Sequence, residues 1–240
     1  GDVYKRQNYG FIAEDAESAK PYLTAYIVRE KCDNPSNFRC GETLDKYLKD
    51  NNIPGIYDVD TREITKIIRE SGVMNAMICS DPRNFDKEKV ETYRVSGAVE
   101  AVTAKTPLPV ACENPKYNVV LLDYGKKENI VRELVKRGCN VAVVPSGTKA
   151  DDVLKLNPDG IMLSNGPGDP SDNADCINEL KKLIGKKPIF GICLGHQLLA
   201  LAMGAKTTKL KYGHRGVNQP VKCIETGRTY ISSQNHGYAV

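Results

Sequence analysis

From Asn118 onward the chain alternates short apolar runs with amphipathic stretches, and this rhythm restricts its fold more than any other feature. NVVLL at 118–122 is continuously apolar, as befits a strand covered on both faces. Glu128–Arg137 follows with helical spacing, which puts Ile130, Val131, Leu134 and Val135 on one side before a stop at Gly138. Asn140–Val144, Gly160–Leu163 and Pro188–Ile192 read as further strands, and Cys176–Ile184 and Gly195–Met203 as further helices. Such alternation predicts an α/β fold with a doubly wound parallel sheet and right-handed crossovers. Ligands of these sheets sit beyond the C-terminal ends of the strands, so chemistry is expected in the loops found there.

The stretch before this rhythm has a different texture. Thr106–Tyr117, TPLPVACENPKY, holds three prolines and little periodicity and reads as a linker. The expected domains are therefore residues 1–105, a linker at 106–117, and a parallel-sheet domain at 118–240. In the first, Leu44, Tyr47 and Leu48 mark a helix over Glu42–Asn51. A second helix is expected over Asp60–Gly72, where Asp60 and Glu63 have capping-box spacing and Ile64, Ile67 and Ile68 form one face. Met74–Cys79 reads as a short strand. These residues define a mixed α/β unit and by themselves ask for no catalysis.

Bulk properties exclude several classes. Thirty-four basic residues against thirty acidic leave a charge of +4, spread along the chain without the basic stripe and aromatics of a nucleic-acid binder. No apolar run approaches the roughly 18 residues of a membrane span. Gly1–Gln7 carries Lys5 and Arg6, but no apolar stretch follows to make a secretory signal. The eight cysteines are irregularly spaced with no C-x-x-C pair, which predicts reduced thiols, no metal site and a cytoplasmic location.

One cysteine stands apart. In KPIFGICLGHQLLALAMG, residues 187–204, a buried strand runs into Gly191-Ile192-Cys193-Leu194-Gly195 and a helix starts at once. This is the thiol counterpart of the G-x-S-x-G elbow, where flanking glycines allow a strained turn that presents the central side chain above the sheet. Cys193 also heads a helix, a setting expected to favour the thiolate and lower its pKa from about 8.5 into the range of about 3.5–7.5. A second loop, Ser164–Pro170 (SNGPGDP), follows the third strand at the same sheet edge. Its glycines and proline fix a loop whose N–H groups suit an oxyanion.

GICLGHQ, with NGPGDP upstream and QNHGYAV downstream, resembles the class I (triad) glutamine amidotransferases. Within them the similarity is greatest to the small-subunit family of carbamoyl phosphate synthetase, because Gly41–Asp81, including GIYDVDTREITKIIRESG, resembles a segment peculiar to that family. The resemblance covers Asn8–Val240. It implies that Cys193 attacks the side-chain amide of glutamine, giving a glutamyl thioester and ammonia. It also implies that the N–H groups of Leu194 and Gly168 hold the oxyanion, and that Gly166, Gly168, Leu194, Gln197, Asn235, Gly237 and Tyr238 contact glutamine. The implied partner is a large subunit that takes the ammonia and alone uses ATP and Mg2+, in arginine and pyrimidine synthesis. No cofactor is expected on this chain.

The family draws its histidine base and orienting carboxylate from a His-Pro-Glu motif near its C-terminus. None of the three histidines here, His196, His214 and His236, has a glutamate two residues on. The resemblance therefore implies that the domain is incomplete at its C-terminus, that His236 is not the base, and that these 240 residues alone are inactive. It also implies a preceding β-rich segment that Gly1–Gln7 does not match, which leaves open whether those residues are native. Three rival readings remain. An amidotransferase of another pathway fits the segment before Thr106 poorly, and a silent regulatory subunit is disfavoured by the intact Cys193. A dinucleotide-binding enzyme lacks its G-x-G-x-x-G, since Asp123-Tyr124-Gly125-Lys126 follows the first strand instead.

Overall fold

A computed structural model describes residues 10–240, so the question of Gly1–Gln7 lies outside the described residues. The chain divides into two compact units, one ending at Met74 and the other beginning at Asn75.

In the first unit β1 (Tyr26–Ile27) pairs in parallel with β2 (Gly55–Ile56). Helix α1 (Leu44–Asp50) is capped by Thr43, whose hydroxyl accepts the Lys46 N–H at 3.2 Å. Helix α2 (Thr61–Ser71) starts on Asp60, which accepts the amides of Arg62 and Glu63 at 3.0 and 3.1 Å, and stops at Gly72 with φ 89°. Only the Asp60 half of the expected capping box carries a bond, because Glu63 turns to Lys66. Met74–Cys79 is not the expected strand: no strand pairs with it among the described residues, and a strand without a ladder has nowhere to place its backbone hydrogen bonds.

The second unit opens with two short helices, α3 (Lys87–Thr92) and α4 (Ala98–Val102). A five-stranded sheet follows, built from β3 (Leu108–Val110), β4 (Tyr117–Asp123), β5 (Cys139–Pro145), β6 (Gly160–Leu163) and β7 (Ile189–Gly191), in the order β3-β5-β4-β6-β7. All neighbours are parallel except β3, which runs antiparallel along β5. Part of the expected linker is thus an edge strand. Pro109 lies within it, and a residue without an N–H is tolerated at a sheet edge.

Helix α5 (Glu128–Lys136) covers one face of the sheet. The other carries α6 (Ala150–Lys155), α7 (Ala174–Leu183) and α8 (Leu194–Ala202). Strand β4 shows why both faces needed cover. Leu121 packs toward Val131 of α5, while Val120 and Leu122 pack with Val153, Leu180 and Leu198 on the opposite face. The chain ends in a long antiparallel hairpin of β8 (Thr208–Lys222) and β9 (Thr229–Ala239).

Helix α6 has no cap from its own N-cap residue, Lys149. Glu179 of α7 supplies one instead, accepting the Ala150 N–H at 2.9 Å. That amide, then the Lys182 side chain, hold the Glu179 carboxyl down to about 2. A depressed carboxyl adds stability that is fully present above its unfolded value of about 4.3 and is lost as pH falls toward the folded value. Chemical unfolding followed at several pH values is therefore expected to show a steeper loss of stability between about pH 4.3 and 2 in the native sequence than in Glu179→Gln.

Candidate active site

The switch point of the sheet lies between β4 and β6, where successive crossovers go to opposite sides and the strand ends diverge. Both C-terminal ends are tied down there. Asp123, buried at the end of β4, accepts the amides of Ala104, Gly125 and Lys126 at 2.9, 2.9 and 2.7 Å. Ser164, buried at the end of β6, accepts the Tyr124 N–H at 2.9 Å and donates to the Asn165 carbonyl at 2.8 Å. The Asn165 amide accepts from Lys127 N at 3.1 Å and donates to the Gly125 carbonyl at 3.0 Å. Gly166 then passes so close to β4 that a Cβ would lie 2.3 Å from the Tyr124 carbonyl oxygen.

The elbow stands beside this clasp. Ile192 N–H donates to the Leu163 carbonyl at 3.0 Å, and Gly195 N–H to that of Ser164 at 3.1 Å, so the turn is hung on β6. Between them Cys193 has φ 51° and ψ −109°, a strained conformation for a residue with a side chain. Both flanking glycines are needed for contact as well as for turning. A Cβ on Gly191 would sit 2.6 Å from the Gly195 carbonyl carbon, and one on Gly195 would sit 2.5 Å from the Leu163 carbonyl oxygen.

The structure brings the sequence-derived residues together from three segments. Cys193, Leu194 and Gln197 lie on the elbow and α8, Gly166 and Gly168 on the loop after β6, and Asn235, Gly237 and Tyr238 on β9. The Cys193 thiol faces the Asn235 carbonyl at 3.8 Å, and Gln197 Nε2 donates to the Tyr238 carbonyl at 2.7 Å.

Two of the three histidines pair with each other across the hairpin. His196 is exposed on α8. His214 Nδ1 lies 3.3 Å from His236 Nε2 across the hairpin. His236 is otherwise engaged by the Tyr238 carbonyl at 2.6 Å and by Gln234 Oε1 at 2.9 Å. Among the described residues no histidine nitrogen hydrogen-bonds the Cys193 sulfur.

The thiol also departs from expectation. Burial pushes the Cys193 thiol up, and the Leu194 N–H followed by the Lys127 charge only partly offsets it. The helix N-terminus acts in the expected direction and is outweighed by desolvation. Sequence reasoning placed Ser164 and Asn165 in the second loop without foreseeing their bonds, and it missed the part played by Asp123. Asp123 had a visible signal as an acidic residue ending an apolar strand, directly before Tyr124-Gly125.

Residues 120–240 match the family model for glutamine amidotransferase class-I, and residues 5–78 that for the carbamoyl-phosphate synthase small chain, CPSase domain. The carbamoyl phosphate synthase small chain of Clostridium perfringens is 50% identical over 235 residues, which cover 97% of this chain and 67% of that protein. Its counterpart from Fusobacterium nucleatum is 52% identical over 236 residues, covering 97% and 65%. A doubly wound sheet with a cysteine elbow at its C-terminal edge places the second unit among the class I glutamine amidotransferases. With the first unit included, the chain belongs to the carbamoyl phosphate synthase small chain family. It spans about two thirds of the length of these relatives.

Alkylation of Cys193 by iodoacetamide tests the electrostatics. Its rate is expected to keep rising above about pH 8.5, the ordinary thiol value, and Lys127→Ala should move the profile further upward. A rate already level near pH 7 would show a thiolate that the burial does not allow.

Proposed function

We propose that this chain supplies the glutamine-hydrolysing site of a carbamoyl phosphate synthase. The observation that carries the reading is the strained elbow at Cys193, which faces β9 and stands beside the glycine-rich loop. The sulfur attacks the carbonyl carbon of the glutamine side-chain amide. A C–S bond forms, the C–N bond breaks, and ammonia leaves with the proton given up by the thiol. Water then attacks the thioester, releasing glutamate and restoring the thiol. The N–H groups of Leu194 and Gly168 serve the tetrahedral oxyanion. Gly166, Gln197, Asn235, Gly237 and Tyr238 line the amino-acid pocket.

A thiol held protonated by burial needs a base to receive its proton. The hydrogen bonds around His236 leave it poorly placed for this, which supports assigning the task to a histidine–glutamate pair such as the family's His-Pro-Glu motif, absent from these 240 residues. The chemistry itself needs only thiol, base and water. We assign ATP and Mg2+ to a large subunit that receives the ammonia for carbamoyl phosphate, serving arginine and pyrimidine synthesis.

Release of glutamate and ammonia from glutamine by the full-length gene product measures this. Cys193→Ser is expected to lower the rate at least about a thousandfold, and an unaffected rate would remove Cys193 from the reaction. The 240 residues alone are expected to hydrolyse glutamine no faster than that variant. A robust rate from them, abolished by Cys193→Ser, would instead promote His236 to the base.

A further inference from the structure

The loop after β6 holds the chain's only Asn-Gly dipeptide, Asn165-Gly166. Asparagine is a heat-labile residue, and a following glycine offers no side chain to shield the backbone nitrogen that attacks it. In that reaction the Gly166 nitrogen adds to the Asn165 side-chain amide carbon. A C–N bond forms, the bond to Nδ2 breaks, and ammonia leaves with the proton given up by Gly166. Water then opens the resulting succinimide to aspartate, or to isoaspartate, whose main chain runs through the former side chain. The fold sets an obstacle in the way. Nδ2, the leaving nitrogen, donates to the Gly125 carbonyl at 3.0 Å, and Oδ1 on the same carbon accepts the Lys127 N–H at 3.1 Å. The Asn165 carbonyl takes the hydroxyl of buried Ser164 at 2.8 Å, and that oxygen accepts the Tyr124 N–H at 2.9 Å. Gly166 is hemmed in as well, since a Cβ there would lie 2.3 Å from the Tyr124 carbonyl oxygen and 2.6 Å from the Leu194 side chain.

We propose that Asn165 is a site of spontaneous covalent modification, deamidation to isoaspartate, whose timing is set by opening of the clasp between the loops after β4 and β6. Ring closure expels the very nitrogen that ties Asn165 to Gly125, so the clasp must open locally before the reaction can run. Two hydrogen bonds given up, each contributing a factor of a few, slow it about tenfold or more relative to an unfolded chain. Neither product closes the clasp again. Aspartate sets an oxygen against the Gly125 carbonyl where an N–H stood. Isoaspartate adds one carbon to the main chain directly ahead of Gly166, where Tyr124 and Leu194 leave no room for even a methyl group. Deamidation is thus one-way, and in aged molecules it opens the rim beside Cys193. The reaction draws only on the chain and water, so it stands whether or not the site takes glutamine.

The full-length gene product, kept in mildly alkaline buffer with and without denaturing urea, tests this by mass spectrometry of the peptide holding Asn165. Conversion is expected to be at least about tenfold slower in the folded protein than in urea. Ser164→Ala, which takes the hydroxyl from the Asn165 carbonyl, should speed conversion in the folded state about threefold or more, with circular dichroism to establish that the variant folds. If it does not fold, the native protein in and out of urea decides alone. Deamidation adds a negative charge, so ion exchange separates the modified fraction of aged native protein. Hydrogen exchange in that fraction is expected to quicken about tenfold across residues 123–128 and 164–168 and to stay within about twofold in α7. Equal conversion in the folded protein and in urea, or conversion in neither, would overturn the proposal. So would a folded Ser164→Ala no faster than native, or a modified fraction with unchanged exchange across residues 123–128.

Discussion

The contact on which the second unit depends is that between the first turn of α8 and the backbone of β6. Gly195 N–H donates to the Ser164 carbonyl while its Cα faces the carbonyl of Leu163, with no room for even a methyl group. This approach sets the height of α8 over the sheet, seats Leu194 and Leu198 in the core, and forces Cys193 into its positive φ. The strain at Cys193 is of the order of 1–3 kcal/mol. It is tolerated because the chain on either side is fixed by bonds to β6.

Around that contact the loops are joined into one rim. The Asp123 carboxylate gathers three amides, Ser164 bridges β4 and β6, and Asn165 ties the two strand-end loops together. These groups are buried or half-buried polar atoms with their bonds made, and removing one partner leaves the others to bear the desolvation cost. The rim that faces Cys193 is therefore rigid on the β4–β6 side, and on the hairpin side it is attached through Gln197 and Tyr238.

Much of this was legible in the residues. The four parallel strands announced themselves as apolar runs because helices cover both sides of them, and the elbow was marked by glycines whose necessity is steric. What escaped depends on partners distant in sequence. Helix α6 takes its cap from Glu179, 29 residues away, so no local signal marks its start. The β8–β9 hairpin is exposed over most of its length and its register shifts twice, which erases the alternation that betrays a half-buried strand. Thr106–Tyr117 has the prolines of a linker because it contains a sheet edge. The Cys193 thiol was misjudged for a similar reason, since the favourable helix end is local and the burial that outweighs it is assembled by the fold.

That burial also bears on how the chain meets oxidants. Sulfur is oxidised through its thiolate, so a cysteine kept protonated is slow to form a sulfenic acid. Cys223, at the turn of the hairpin, lies in the opposite situation, with the Thr226 hydroxyl and then its amide stabilising the thiolate and pulling it down. Peroxide would therefore mark Cys223 before Cys193. The desolvation that pushes the Cys193 thiol up is also what makes the proposed nucleophile dependent on a base.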